Sequence, residues 1–367
     1  MFHRLLNHFK KFDWILFCSV MLLAGFGLAV IYSVALGSGT AAMLNFQKQC
    51  MFVGVGLALL FVFSFFDFHS FYGLTWWLYG GGVALLVAVL FFGETVRGTT
   101  GWFSFPGFSL QPVEIIKVIL VIVLAKYFAS ASYKTNQLRH LAFTGVLVAG
   151  PLALTLLQPD FGSAMIIMLF WLAMLALFGF NRKQALAVVL AAAVLFTFSF
   201  FFILKDYQKE RVITFFNPGS SSLDQGYNVA QAIIAIGSGK FFGRGLGFGS
   251  QSQLKFLPES QNDFIFAVIG EELGLVGAAI LLTVFAVFFF RLLYWTHRLD
   301  NNFGLYIALG AGILLFIEMF INIAMNVGLL PVVGISLPFV SYGGSSLIAS
   351  LALVGIVESV IVKARHS

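Results

Sequence analysis

The sequence predicts an all-α integral membrane protein with about ten transmembrane helices, and three observations support this prediction. Hydrophobic residues make up 60% of the 367-residue chain and charged residues only 10%, whereas a soluble domain carries about 25% charged residues. The mean hydropathy is +0.97. The apolar residues fall into runs near the roughly 20 residues that a membrane-spanning helix needs. We therefore expect a single polytopic membrane domain over residues 1–367.

Ten apolar runs are the candidate spans. They cover 13–35, 50–66, 71–93, 112–129, 141–157, 163–180, 185–204, 263–290, 303–326 and 338–361. The first run exceeds the usual apolar length of a signal peptide, about 7–15 residues, and is expected to stay in the protein. An even number of spans places both termini on one side of the membrane.

The lysine and arginine distribution predicts which side that is, because cytoplasmic loops carry an excess of these residues. Twelve lie in segments on the side of the termini: Arg4, Lys10, Lys11, Lys126, Lys134, Arg139, Arg182, Lys183, Arg291, Arg298, Lys363 and Arg365. The opposite short loops carry only Lys48 and Arg97, and a long outer segment adds six. Both termini are therefore expected to be cytoplasmic. The net charge of +6 reflects this topology and does not indicate nucleic-acid binding.

The long outer segment covers residues 205–262, and loops of such length are often functional. Residues 227–237 are predicted to form an amphipathic helix on the outer leaflet. A glycine-rich segment, residues 237–249, follows. It begins like part of a P-loop, but Phe241 stands where Ser or Thr is required.

Cys18 and Cys50 both lie in apolar runs. We expect them to be small core residues, with no role in a disulfide framework or a metal cluster.

Polar residues inside spans are the first candidates for a site, because they are costly in a bilayer. Glu114 and Lys117 are three residues apart and so share one helical face. They form either a structural ion pair or a site in which Lys117 holds an anionic group and Glu114 orients it. Glu271 and Glu272 lie in the eighth span, and at least one of them requires an internal partner.

A polar stripe recurs every four residues in the ninth span, at Glu318, Asn322 and Asn326. It predicts either hydrogen bonds between helices or the lining of a substrate cavity. Asp263 closes the long outer segment and opens the eighth span. It is either a helix cap or a catalytic base at the membrane–water boundary.

Several segments together resemble the SEDS family (shape, elongation, division and sporulation), and within it the RodA branch. They are 97–102 (RGTTGW), 108–117 (FSLQPVEIIK), 157–163 (LQPDFGS), 211–218 (RVITFFNP), 225–231 (QGYNVAQ), 235–239 (AIGSG), 245–247 (GLG), 256–259 (FLPE), 328–334 (GLLPVVG) and 337–346 (LPFVSYGGSS). They cover nearly the whole chain in the family's order. Gln261 and Asn262 depart from the family's usual His-Thr, Val113 from its Ser, and Gly101 from its Arg.

The resemblance implies a peptidoglycan glycosyltransferase of the bacterial plasma membrane, serving cell elongation and shape. Such enzymes polymerise lipid II, a disaccharide-pentapeptide on undecaprenyl pyrophosphate, on the outer membrane face. The donor is α-linked and the polymer β-linked, so the transfer is expected to be inverting. A class B penicillin-binding protein, which crosslinks the glycan, is the implied partner, and membrane lipid surrounds the chain.

Asp263 matches the family's catalytic aspartate and is expected to act as general base. The expected substrate-binding residues are Glu114, Lys117, Arg97, Trp102, Gln111, Arg211, Lys240, Arg244, Glu259, Ser341 and Ser345. The five cations among them are candidates for stabilising the pyrophosphate leaving group. No metal-ligand spacing is evident, although Mg²⁺ or Mn²⁺ would suit the same task. The alternatives are a flippase or transporter, a non-catalytic cell-wall scaffold, and a polymerase or ligase acting on another lipid-linked glycan.

Overall fold

The computed structural model describes residues 8–38, 40–96, 98–105, 107–131, 137–179 and 225–365. Its helices are α1 (Trp14–Ser38), α2 (Thr40–Phe65), α3 (Phe68–Phe92), α4 (Pro112–Ser130), α5 (Gln137–Leu157), α6 (Phe161–Leu177), α7 (Gln225–Ser238), α8 (Ser250–Gln253), α9 (Ile265–Thr296), α10 (Asn302–Asn326) and α11 (Gly344–Ala364). Within these residues, seven helices are long and apolar enough to cross a membrane. The predicted helical membrane fold is confirmed. The count of ten stays a prediction, since the expected span 185–204 lies outside the described residues.

Three predicted boundaries differ clearly from the observed ones. The second span was expected to begin at residue 50, but α2 begins at Thr40. The last span was expected to begin at residue 338, but α11 begins at Gly344 because residues 338–342 form turns and bends. The eighth span was expected to end at residue 290, but α9 continues to Thr296. Hydropathy alone therefore marks helix ends poorly.

A small antiparallel sheet joins α3 to α4 and was not predicted. Its strands are β1 (Glu94–Val96), β2 (Thr99–Phe105) and β3 (Phe108–Leu110), in the order β1-β2-β3. Thr and aromatic residues in this stretch favour extended backbone. The amide of Thr100 donates to the carbonyl of Gln158 at 3.2 Å, which ties the sheet to the end of α5.

The two most buried candidate spans, α10 and α11, form the centre of the bundle. α10 packs against α4, α6 and α9, while α11 packs mainly against α2. At the α2–α11 contact, a Cβ on Gly355 would lie 2.8 Å from the Cα of Leu60, so only glycine allows this approach. Small residues commonly permit such close contacts between membrane helices.

Cys18 and Cys50 are exposed on the surface of the bundle. The prediction that they are core residues was wrong. The reason is that the outer surface of a membrane bundle faces acyl chains, so an apolar run does not separate buried positions from lipid-facing ones.

The predicted amphipathic helix is present as α7, which packs along α9. Its buried face includes Ala232 and Ala235, while Ile233 and Ile234 remain about half exposed. The glycine-rich segment then meets α9 at Gly274, whose φ of +66° and ψ of −162° interrupt the helix. This break and the residues before it position the candidate site.

Candidate active site

Asp263 lies two residues before α9, at the end of the long outer segment, and is partly exposed. The N-cap residue of α9 is Phe264, so Asp263 lies one position before the cap. The amide of Ala267 in the first turn donates to Oδ1 of Asn326 on α10 at 3.0 Å. The side chain of Asn326, on a neighbouring helix, thus accepts a hydrogen bond from an N-terminal amide of α9. In most helices the capping side chain accepts this bond.

The polar stripe of α10 fixes the backbone at Asp263. The carbonyl oxygen of Asp263 accepts hydrogen bonds from Asn322 Nδ2 at 3.0 Å and from Asn326 Nδ2 at 2.8 Å. Asn322 also donates to the carbonyl of Ile335 at 2.7 Å. Both asparagines are fully buried. The stripe therefore forms the predicted hydrogen bonds between segments, and it holds the candidate base in place.

The turns before α11 contact the residues that precede Asp263. The amide of Tyr342 donates to the carbonyl of Gln261 at 2.8 Å, and Ser341 Oγ donates to the carbonyl of Asn262 at 2.7 Å. A Cβ on Gly334 would lie 3.6 Å from Oδ2 of Asp263. The carboxylate therefore lies beside the backbone at Gly334.

Glu259 shapes the turn that leads into Asp263. Its φ of +51° is uncommon for a residue with a side chain. Its carbonyl accepts from the amides of Asn262 at 3.0 Å and Phe264 at 3.3 Å, and its carboxylate accepts from Asn262 Nδ2 at 2.8 Å. These contacts indicate that Glu259 organises the turn around the candidate base.

Lys117 forms a buried ionic cluster with Glu318, the first residue of the stripe. Its Nζ lies 2.9 Å from Glu114 Oε2 and 2.5 Å from Glu318 Oε1, and all three side chains are buried. The expected ion pair is thus present, and Glu318 adds a second carboxylate from α10. Because Glu318 lies one turn from Asn322, about 6 Å along the axis, α10 links the cluster to Asp263.

A third group connects β3, α4, α6 and α11. The amide of Gln111 donates to Ser345 Oγ at 2.9 Å, and Gln111 Nε2 donates to Asp160 Oδ2 at 3.2 Å. Ser345 Oγ in turn donates to the carbonyl of Ser109 at 3.0 Å. Trp102 lies partly buried on β2. Asp160 was not predicted as a site residue, although its place in the 157–163 motif marked it.

The predicted cations divide into three sets. Lys117 is held in the ionic cluster, whereas Arg97 and Arg211 lie outside the described residues. Lys240 and Arg244 are exposed on the glycine-rich segment, where Arg244 Nη1 donates to Ser250 Oγ at 3.0 Å. That segment packs at Gly274, eleven residues along the chain from Asp263. The substrate-binding roles of all five stay predictions.

Glu271 and Glu272 find their partners in the long outer segment and on α1. Glu271 accepts from the amides of Gln251 at 2.7 Å and Ser252 at 3.0 Å. Glu272 accepts from Ser33 Oγ and from Gln253 Nε2, the latter at 3.1 Å. Both glutamates are fully buried. They attach α8 to the first turns of α9. The residues that connect α8 to Asp263 are held with it.

Two residues of α2 support the site and were missed from the sequence. Asn45 Nδ2 donates to Gln261 Oε1 at 3.1 Å, and Gln49 Nε2 donates to the carbonyl of Ser341 at 3.0 Å. Their spacing of four residues repeats the pattern that identified the α10 stripe. Across the described part of the chain, no three His, Cys, Asp or Glu side chains gather to hold a metal ion.

Comparison with known proteins shows the family. The FtsW/RodA/SpoVE family, described as cell cycle protein, matches residues 13–366. Peptidoglycan glycosyltransferase MrdB of Escherichia coli K12 is 40% identical over 84% of this chain and 83% of its own. Probable peptidoglycan glycosyltransferase FtsW of Geobacter sp. strain M18 is 33% identical over 97% and 98%.

Solved structures share the fold. One comes from work on the structural coordination of polymerization and crosslinking by a peptidoglycan synthase complex. It matches with a TM-score of 0.81 and 28% identity over 97% of this chain and 99% of that one. The rod shape determining protein RodA of Thermus thermophilus matches with a TM-score of 0.73 and 25% identity over 97% and 98%. The chain therefore belongs to the FtsW/RodA/SpoVE family, as its motifs predict.

Proposed function

We propose that this protein is a peptidoglycan glycosyltransferase that polymerises lipid II into glycan strands, with Asp263 as general base. The clamped backbone of Asp263 carries the proposal. Two buried asparagines hold its carbonyl. The residue is partly exposed, and its carboxylate lies beside Gly334. This arrangement fixes the backbone at Asp263 where the segment 205–262 meets α9. The names of the relatives, which include peptidoglycan glycosyltransferases, support the same activity.

In the proposed reaction, an acceptor sugar hydroxyl attacks the anomeric carbon of the lipid-linked donor. The new bond forms from the hydroxyl oxygen to that carbon, and the bond from the carbon to the pyrophosphate oxygen breaks. The hydroxyl proton moves to Asp263, and the electron pair leaves with the pyrophosphate. A single displacement inverts the α-linked donor to a β-linked product, so no covalent sugar–enzyme intermediate forms.

Lys117 acts in this proposal mainly through Glu318. Two carboxylates already neutralise its charge at 2.9 and 2.5 Å, which makes it a weak free cation for pyrophosphate. The ion pair fixes the position of α10 against α4, and α10 carries the asparagines that hold Asp263. Arg97, Arg211, Lys240 and Arg244 remain the candidate cations for the leaving group.

The reaction is placed on the outer face of the plasma membrane, with both termini in the cytoplasm. α9 begins beside Asp263 and ends at Thr296, where Arg291 and Arg298 mark the opposite membrane face. A helix of this length crosses the bilayer. The excess of lysine and arginine at that opposite face supports its assignment to the cytoplasm.

A class B penicillin-binding protein is the proposed partner, and elongation and cell shape are the proposed roles. The similarity to a peptidoglycan synthase complex that coordinates polymerization and crosslinking supports the partner. The similarity to the rod shape determining protein RodA of Thermus thermophilus supports the role in cell shape.

The proposal is tested by incubating the purified full-length protein with lipid II, with and without a cognate partner and with Mg²⁺, Mn²⁺ or a chelator. Glycan polymer on a gel supports the proposal. A parallel assay measures movement of fluorescent lipid II across proteoliposome bilayers. Transport without polymer would replace the proposal with a flippase, and neither activity with the partner bound would replace it with a scaffold.

A further inference from the structure

The glycine-rich segment completes the hydrogen bonding of α9 where that helix breaks at Gly274. The two carbonyls just before the break accept from the amides of Arg244 and Gly245. Two amides just after it donate to the carbonyls of Lys240 and Phe241, and all four bonds measure 2.9–3.0 Å. The segment therefore lies alongside α9 at the level of the break.

The depth of the break follows from the length of α9. Arg291 and Arg298 mark the cytoplasmic end of the helix. A hydrocarbon core of about 30 Å corresponds to about 20 helical residues at 1.5 Å each. Counting back from Arg291 places Gly274 just inside the outer edge of the core. Non-helical backbone at that depth must be satisfied by other protein groups, which is what the four bonds achieve.

The segment exposes three phenylalanine side chains. Phe241 is 66% exposed, Phe242 is 85% exposed and Phe248 is 77% exposed. Val276, whose amide pairs with Phe241, and the adjacent Leu275 are also exposed. A soluble protein would bury such aromatic side chains in its core. At this depth in a bilayer, acyl chains surround them instead.

We propose that the glycine-rich segment is a lipid anchor that inserts Phe241, Phe242 and Phe248 among the acyl chains of the outer leaflet. Lys240 and Arg244 are exposed on the same segment, and their long side chains reach up to the lipid phosphates. The anchor fixes the height of the α9 break in the bilayer. Glu271 and Glu272 lie beside the break and hold α8. The anchor therefore also fixes the height of α8 and of the residues that connect α8 to Asp263.

The test measures the depth of a spin label in the full-length protein in nanodiscs. In a Cys18→Ser, Cys50→Ser background, single cysteines are introduced as Phe242→Cys and Phe248→Cys, labelled, and exposed to oxygen and to a water-soluble nickel chelate. Leu282→Cys on the lipid-facing surface of α9 gives the acyl-chain reference. Asp300→Cys in the α9–α10 connection gives the aqueous reference.

The proposal expects both phenylalanine positions to collide with oxygen several-fold more than with the chelate, as Leu282→Cys does. Values like those of Asp300→Cys would overturn it, because the segment would then lie in water. Labels shielded from both reagents would also overturn it, because another protein surface would then cover the segment. If one of the two variants fails to fold, the other still decides between these outcomes.

Discussion

Asn326 of α10 donates a hydrogen bond of 2.8 Å to the backbone carbonyl of Asp263, from which it is separated by 63 residues of sequence. The same side chain accepts from the amide of Ala267 in the first turn of α9. One buried carboxamide therefore sets both the start of α9 and the position of the candidate base. This relationship makes the α10 stripe part of the site although it does not provide the reacting group.

Asn326→Ala is expected to reduce polymerisation strongly while the protein still folds. The change removes one of two donors to the Asp263 carbonyl and should cost about 1–3 kcal/mol of stability. Asn301→Ala is the matched control, because Asn301 caps the opposite end of α10 by accepting from Phe303 and Gly304. Its loss should cost about 1 kcal/mol without lowering kcat. Equal kcat losses in both variants would show that activity follows general stability.

Lys117→Met is expected to lower the unfolding free energy by about 3–5 kcal/mol, because it leaves Glu114 and Glu318 buried without their cation. Adding Glu318→Gln should recover part of this loss by removing one unpaired charge. Thermal unfolding of the two single variants and the double variant measures the coupling. Strictly additive losses would contradict the ionic cluster, and Lys10→Met at an exposed lysine provides the control.

Glu271→Ala is expected to loosen α8 specifically. The carboxylate accepts from the amides of Gln251 and Ser252, so its removal should raise hydrogen exchange in peptides covering residues 249–253. Glu94→Ala, at an exposed strand residue, should leave those peptides unchanged. Unchanged exchange after Glu271→Ala would mean that other contacts hold the segment.

Gly274→Ala is expected to displace the glycine-rich segment from α9. Gly274 has a φ of +66°, and a Cβ there would lie 2.7 Å from the carbonyl oxygen of Phe241. Gly54→Ala is the matched control, because nothing lies within 4 Å of its Cβ position. Its helix should be stabilised by up to about 1 kcal/mol. Thermal unfolding compares the two, and equal melting temperatures would contradict the close packing at the break.

Hydropathy predicted most of the helical fold because a bilayer requires long apolar runs, and each observed span matches such a run. Periodicity also predicted two contacts within the site. Glu114 and Lys117 share a face at three residues, and the Glu318–Asn322–Asn326 stripe repeats every four. These signals depend only on residues three or four positions apart, so they can be recognised in a single sequence.

The features that sequence could not supply depend on distant partners. Glu271 accepts from the amides of Gln251 and Ser252, which precede it in the chain by 20 and 19 residues. The sequence around Gly274 does not distinguish this glycine, where α9 breaks, from the other glycines of the chain. Cys18 was expected in the core because apolar runs look alike on buried and lipid-facing sides. The role of Asn45 depends on Gln261, more than two hundred residues away.

The most direct test of the central claim is the initial rate of lipid II polymerisation by Asp263→Asn. Asp300→Asn, an exposed aspartate in the connection between α9 and α10, is measured beside it, and both are checked for folding by thermal unfolding. The account predicts a loss of about 10²–10⁴-fold for Asp263→Asn, the usual worth of a general base, and wild-type rates for Asp300→Asn. A folded Asp263→Asn variant that polymerises at the wild-type rate would remove Asp263 from the mechanism.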